Sequence, residues 1–293
     1  MTMNNITVGI YSYKGKKVFD VIDSLLNNKN DNTTVTINLK DQHPMDREDQ
    51  LKSIIKKYNN SSGSYHHVFW DWIVSPVSHK EEILRIAKNE YYLFLSDNIL
   101  LSQNWDTKLI DFISNKNIIL SGNKNINLTN KNLFYLNKNE NDIDNFTKTQ
   151  YINRDFIFGR TSIFKKINLP KYIKYDGEEE TLSIKYFISG FDIYAVPTNL
   201  YSYCCETSIK NIYTPFQTGH NYNEVVSLMK NGHNLFESYD INKIKEFWQY
   251  HNFNINKIKK IPFETNDVDY DPNSAKYDKI DGRRFIDKQN AIN

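Results

Sequence analysis

Two cysteines in 293 residues, adjacent to each other as Cys204-Cys205, leave little from which to build a disulfide framework or a zinc site. Neighbouring cysteines seldom bridge each other and no CxxC pattern occurs, so a reducing compartment, the cytosol, is expected. No apolar stretch approaches the roughly 20 residues of a membrane span. A basic n-region followed by a long apolar h-region is also missing, so no secretory signal is expected. Neither sign of charge dominates: 37 basic against 35 acidic residues give no global case for nucleic acid or a membrane surface. Glycine is scarce, and no GxGxxG or P-loop pattern is present, which leaves a generic nucleotide-binding enzyme without support. The abundance of Asn and Lys reads as coding bias. What the chain does have is apolar and aromatic mass: 39% hydrophobic residues, with 20 Tyr, 17 Phe and 4 Trp, enough for a sizeable core.

The order of elements is α/β. Ile6–Tyr13 has the β-branched and aromatic character of a strand, and Val18, Val21, Ile22, Leu25 and Leu26 then recur at helical spacing. Thr34–Leu39 reads as a second strand ending in Lys40-Asp41, completing the opening of a parallel crossover. A helix is expected over Asp46–Tyr58, an apolar run at Val68–Val74, and a helix through Lys88 that Ser78 caps, with Glu81 completing a capping box. A strand at Tyr91–Leu95 and a helix at Trp105–Ile113 follow, then short strands such as Ile118–Leu120 and Leu133–Leu136. The chain beyond Phe263 turns polar and acidic and reads as an irregular tail. Strands alternating with helices predict a mainly parallel central sheet flanked by helices.

Two patches carry the chemistry. The apolar run Tyr91–Leu95 stops at Ser96-Asp97-Asn98, and a carboxylate at the end of a buried strand is how many nucleotide-using enzymes present a ligand at the carboxyl edge of a parallel sheet. The same triplet is also an ordinary turn sequence. In the second patch, Gly177 breaks the chain and Glu178, Glu179 and Glu180 fall on the first turn of a helix running to about Ile188. Gly190 closes that helix, and a strand follows at Phe191–Val196. Carboxylates at a helix start also complement the macrodipole, which is the plainer reading of the three glutamates.

These blocks, in this order, resemble the UDP-GlcNAc-dependent polypeptide N-acetylglucosaminyltransferases and their bacterial, viral and protist relatives, which adopt the GT-A fold. The resemblance covers roughly residues 6–203. It rests on Ile10-Tyr11-Ser12-Tyr13-Lys14, on Ser75-Pro76 with Ser78-His79, on Tyr91–Asp106, and on Gly177-Glu178-Glu179 with Ser189-Gly-Phe-Asp-Ile-Tyr-Ala-Val-Pro197. It implies a domain over 1–203, with 204–293 as a helical and irregular extension packed on it. Ser96-Asp97-Asn98 falls where relatives carry Asp-Ser-His, their form of the DxD motif, and Tyr201-Ser202-Tyr203 falls where they carry a late histidine ligand. Asp97 and Asn98 still offer oxygen to a hard cation such as Mg²⁺ or Mn²⁺, although these two departures weaken the case for metal dependence.

The activity this implies is transfer of a sugar from a UDP-sugar, of the UDP-GlcNAc or UDP-glucose type, to a hydroxyl, with retention. A glutamate at this junction would serve an inverting base equally well. Asp97 with Asn98 would serve the leaving diphosphate, and Glu178 or Glu179 the acceptor or the sugar, making Asp97, Glu178 and Glu179 the catalytic set. Ser12, Tyr13 and Asp41 would hold the nucleoside, with Lys14, Ser78, His79, Ser96 and Trp105 completing the donor-binding set. The acceptor would be a protein, a glycan or, as in some phage enzymes, a hydroxylated DNA base, which the basic segment Lys243–Lys260 permits. The other reading is an inactive binding protein that keeps the fold. The expected setting is the cytoplasm of a bacterium or of a virus-infected cell.

Overall fold

The computed structural model describes residues 3–12, 17–41, 47–67, 76–114, 116–123, 143–167, 169, 177–204, 215–234 and 236–251. Strand β1 (Asn4–Ser12) sits between β2 (Thr33–Asp41) and β4 (Tyr91–Ser96), parallel to both. From Ile6 to Ile10 its residues are buried on both faces, as expected of an inner parallel strand. Ile6, Val8 and Ile10 join the cluster that includes Val18, Val21, Ile22 and Leu25 of helix α1 (Val18–Asn27). Burying each such side chain contributes about 1.5–3 kcal/mol relative to exposure. On the opposite face, Gly9 allows a close approach: a Cβ there would stand 2.7 Å from Ile83 and 2.5 Å from the Tyr92 hydroxyl.

The eight-stranded sheet runs β3-β2-β1-β4-β8-β6-β9-β7, where β3 is Ser61–His67, β6 Ile118–Ser121, β7 Thr147–Lys148, β8 Phe156–Arg160 and β9 Asp192–Ala195. The pairings β1-β2, β1-β4, β2-β3 and β6-β9 are parallel, and those of β8 with its two neighbours and of β7 with β9 are antiparallel. Helices α2 (Glu48–Ile55), α4 (Trp105–Ile113) and α6 (Glu178–Ile188) occupy the expected stretches. Two short helices complete the layers, α3 (Pro76–Ile86) and α5 (Thr161–Lys166).

One expectation changes here, and one strand appears that the sequence did not suggest. Helix α3 begins at Pro76, not after Ser78, so Ser78 is its third residue and the Ser78–Glu81 capping box is not formed. Proline suits the first helical position because its φ is already fixed and its missing N–H has no partner there. The strand after α2 is the polar Ser61–His67, which pairs on one side with β2 and carries the exposed polar residues usual at a sheet edge. Val68–Val74, Leu133–Leu136 and the chain beyond His251 lie outside the described residues.

Helices α7 (Pro215–Asn231) and α8 (Ile241–Tyr250) pack against α6 through Val225, Val226, Met229, Ile244, Phe247 and Trp248, clustered with Ile184. The Asp240 side chain caps α8 by accepting from the Asn242 N–H at 2.9 Å. His251 ends this helix, its ring 4.6 Å from that of Phe247 and 6.2 Å from that of Tyr151. Burial pushes its pKa from the ordinary 6.5 to about 4. The unfolded chain therefore binds the extra proton first, so stability present above pH 6.5 is lost as pH falls towards 4. Urea unfolding between those pH values should show a loss of up to about 3 kcal/mol that His251→Phe reduces; identical pH profiles for the two proteins would contradict this. No described helix is long and apolar enough to cross a membrane.

Candidate active site

Sheet register lines up the first patch. Ser12 lies beside Asp41, and Tyr11 beside Ser96, so the carboxyl ends of β1, β2 and β4 form one edge. Asp41 is fully buried and is balanced by Arg47, whose Nε donates to Oδ2 at 2.7 Å while a second guanidinium N–H reaches the same oxygen. The guanidinium itself stands 4.9 Å from the Phe19 ring centroid. His79 stacks on Tyr11, with ring centroids 5.2 Å apart and planes 17° apart. Glu82, one turn further along α3, pairs with Lys40 of β2 and lies 3.9 Å from His79 Nδ1. Tyr13, Lys14 and the side chain of Ser78 fall outside what is described.

Ser96, Asp97 and Asn98 are all buried, at 8%, 9% and 3% exposure, although the triplet is polar. Its backbone is held from two sides. The Ser96 N–H donates to the Asp155 carbonyl at 2.7 Å, and the Asn98 carbonyl accepts from Cys204 N–H at 2.9 Å. The second tether follows from a two-stranded ribbon of β5 (Ile99–Leu101) and β10 (Tyr201–Tyr203). The ribbon brings the end of β10 against the triplet, where the Tyr203 hydroxyl accepts from Asn153 Nδ2 at 3.3 Å.

The second patch is more enclosed than simple dipole complementation requires. Gly177 adopts φ +94°, and a Cβ there would fall 2.5 Å from Val225, so α7 packs directly over the start of α6. Glu178, Glu179 and Glu180 are buried at 3%, 7% and 2% exposure, each with a partner from a distant part of the chain. Lys80 Nζ donates to Glu178 Oε1 at 2.7 Å while standing 4.3 Å from the Phe94 ring centroid. Glu179 Oε1 accepts the Arg154 backbone N–H at 2.9 Å, and Glu180 Oε1 accepts the Tyr151 hydroxyl at 2.9 Å. Burial, then the Glu180 and Glu179 carboxylates, push the Tyr151 pKa well up, so it stays a proton donor.

Arg154 and Asp155 join the two patches. The N–H of Arg154 binds Glu179, and the carbonyl of the next residue binds Ser96. A further bond runs from Ile152 N–H to Ser183 Oγ on α6, at 2.8 Å. Tyr151–Asp155 is not among the sequence candidates. Its form was nevertheless a usable signal: polar residues abutting the apolar Phe156-Ile157-Phe158, the arrangement of Tyr91–Asn98 in reverse.

Trp105 is a correction. Its ring is fully buried in the main core and its Nε1 donates to the Leu25 carbonyl at 3.0 Å, fastening α4 to α1. With ring and donor both committed, it leaves the donor-binding set. Asp106 is likewise committed, both its oxygens lying 3.1 Å from the Asn30 N–H.

For a metal, Asp97 and Asn98 offer a carboxylate and an amide oxygen, the donor type of Mg²⁺ or Mn²⁺. Among the described residues no group of three or more His, Cys, Asp or Glu is arranged to hold an ion. This donor set fits a hard cation that takes most of its remaining ligands from substrate phosphates and water.

No protein-family model and no curated protein sequence matches the chain. Solved structures do. Residues 1–349 of Staphylococcus aureus TarS in complex with UDP-GlcNAc superpose with a TM-score of 0.59 at 12% identity, over 83% of this chain and 70% of that one. GalNAc-T7 with UDP, GalNAc and Mn²⁺ gives 0.56 at 13% identity, over 85% of this chain and 55% of that one. A longer S. aureus TarS chain gives 0.57 at 15% identity; 84% of this chain is covered, which spans 43% of that TarS. These neighbours are GT-A glycosyltransferases. At such identities the likeness is one of architecture, and the chain has the GT-A fold.

Proposed function

We propose that this protein is a glycosyltransferase that moves a sugar from a UDP-sugar to a hydroxyl acceptor. The observation that carries the reading is the two-residue bridge Arg154-Asp155, which ties the strand end bearing Asp97 to the helix start bearing Glu179. On a GT-A fold, that adjacency supports one carboxylate patch serving the leaving diphosphate and the other the anomeric centre. The fold neighbours TarS and GalNAc-T7, solved with UDP-GlcNAc and with UDP, support a uridine nucleotide as donor. The sequence blocks shared with the polypeptide N-acetylglucosaminyltransferases support GlcNAc or glucose as the sugar, and retention.

In this reading the row Ser12–Asp41 receives the nucleoside, with Arg47 holding the Asp41 carboxylate in place. Stacked on Tyr11, His79 lies beside the diphosphate. Asp97 and Asn98 are the residues that would hold a divalent cation, which when bound would offset charge developing on the leaving diphosphate. The bond from the anomeric carbon to the phosphate oxygen breaks and a bond to the acceptor oxygen forms. In a retaining reaction Glu179 stabilises the positive charge on the sugar while the departing phosphate oxygen takes the acceptor proton; in an inverting one Glu179 takes that proton. Glu178 is bound to Lys80, and its role is to fix the turn.

A panel of UDP- and GDP-sugars, assayed by thermal shift and by donor hydrolysis with and without Mn²⁺, tests the reading. A UDP-sugar should raise the melting temperature, in line with about 2.7 kcal/mol of stabilisation at 100 times its Kd, and should be turned over. No shift with any nucleotide sugar would remove the reading; a shift without turnover would leave a binding protein.

A further inference from the structure

The first turn of α6 poses an electrostatic problem: three consecutive carboxylates, each nine-tenths or more buried, at the point where the reaction needs one of them ionised. Like charges at close range in a poorly solvated place favour protonation of one member. Lys80 contributes an opposing charge. It reaches this turn from α3, 98 residues away in sequence, and its side chain crosses the ring of Phe94, two residues before Ser96. It therefore touches both the strand of the first patch and the helix of the second.

We propose that Lys80 is a positioning residue: by holding Glu178 in a buried ion pair it keeps Glu179 ionised and aligned for catalysis. This deepens the transferase reading and rests on it. The charged and titratable groups around Glu179 are Glu178 and Glu180 on its own helix, Lys80 on α3, and Arg154, Asp155 and Tyr151 on the bridging segment. Among the described residues, His251, whose ring packs on Tyr151 from the end of α8, completes the set. Arg154 meets the turn through its backbone N–H, with its side-chain charge also acting on Tyr151, and Tyr151 meets it through a hydroxyl; Lys80 pairs directly with a carboxylate of the turn, at 2.7 Å. Its loss removes that charge and frees the Glu178 side chain to move against its neighbour.

The test is Lys80→Met in the full chain, with the pH dependence of UDP-sugar turnover as the readout. The expected result is an acid limb of the pH–kcat profile moved up by about one pH unit, with kcat on that limb lower by up to about tenfold. Donor KM should stay within about twofold. Lys80→Arg should restore most of the rate, and Lys80→Met/Glu178→Gln, which removes both charges, should bring the acid limb back down. An unmoved acid limb overturns the proposal, as does a loss confined to KM, which would make Lys80 a donor-binding cation. If Lys80→Met does not fold, the double variant decides: an acid limb displaced upward in it overturns the proposal. NMR titration of the Glu179 carboxylate, which needs no turnover, separates this idea from the transferase reading. A midpoint that does not rise in Lys80→Met sinks the proposal, whereas a wild-type protein inert to every nucleotide sugar sinks the transferase reading alone.

Discussion

Glu179→Gln is expected to lower kcat for sugar transfer by about 10²–10⁴-fold while donor affinity stays within about twofold. The substitution is nearly isosteric, and an amide oxygen at Oε1 still accepts the Arg154 N–H that orients the side chain. The bridge to Asp155 and Ser96 thus survives, and with it the donor-binding edge. What is lost is the negative charge and the capacity to take a proton. A loss that appears instead in KM would place Glu179 in ground-state binding, and unchanged turnover would remove it from the chemistry.

The second large effect is expected at the other patch. Asp97→Ala should abolish the UDP-sugar-dependent rise in melting temperature. A Kd weakened by about 100-fold would already cut about 2.7 kcal/mol of linkage to about 0.4 kcal/mol, and a larger loss removes the shift. Asp97 follows the end of β4 directly, flanked by the backbone bonds of Ser96 and Asn98. The backbone bonds of Ser96 and Asn98 remain in the variant, so the apo protein should melt within a few degrees of wild type. A donor-induced shift of normal size in Asp97→Ala would detach this residue from the diphosphate and, with it, the reading of the triplet as a DxD relic.

Where local chemistry determines an element, the sequence shows it. Helix α6 and strand β9 stand where expected because glycines punctuate both ends of the helix, Gly177 at φ +94° and Gly190 at φ +79°, conformations that side chains resist. Helix α1 and strands β1, β2 and β4 were legible from apolar periodicity, since each buries a continuous stripe. Strand β3 was not, because an edge strand of Ser, Gly and His carries no apolar signal and gains its place from hydrogen bonds to β2. Strand β8 was missed for a different reason. It is five residues long, and its position between β4 and β6 is a fact of topology that no local pattern contains. Trp105 misled because an aromatic residue near a strand end looks the same in sequence whether it stacks on a sugar or fills the core; only the bond to Leu25 tells them apart.

The candidate site divides in the same way. Both acidic patches were visible as residues, and their adjacency was an expectation. The segment Tyr151–Asp155 carried a signal, but the contacts that create the adjacency did not: Arg154 and Asp155 act through backbone atoms, which every residue possesses, and Lys80 reaches Glu178 across about a third of the chain. Partners separated so widely leave no periodic trace, so neither the bridge nor the ion pair follows from any window of sequence.

The most direct measurement is a crystal structure of the protein with an intact UDP-sugar. The account predicts uracil and ribose over the Ser12–Asp41 row, the diphosphate against Asp97 and Asn98, and the anomeric carbon facing the Glu179 carboxylate. A donor bound elsewhere, or one seated on the strand edge with its anomeric carbon turned away from the start of α6, would contradict it.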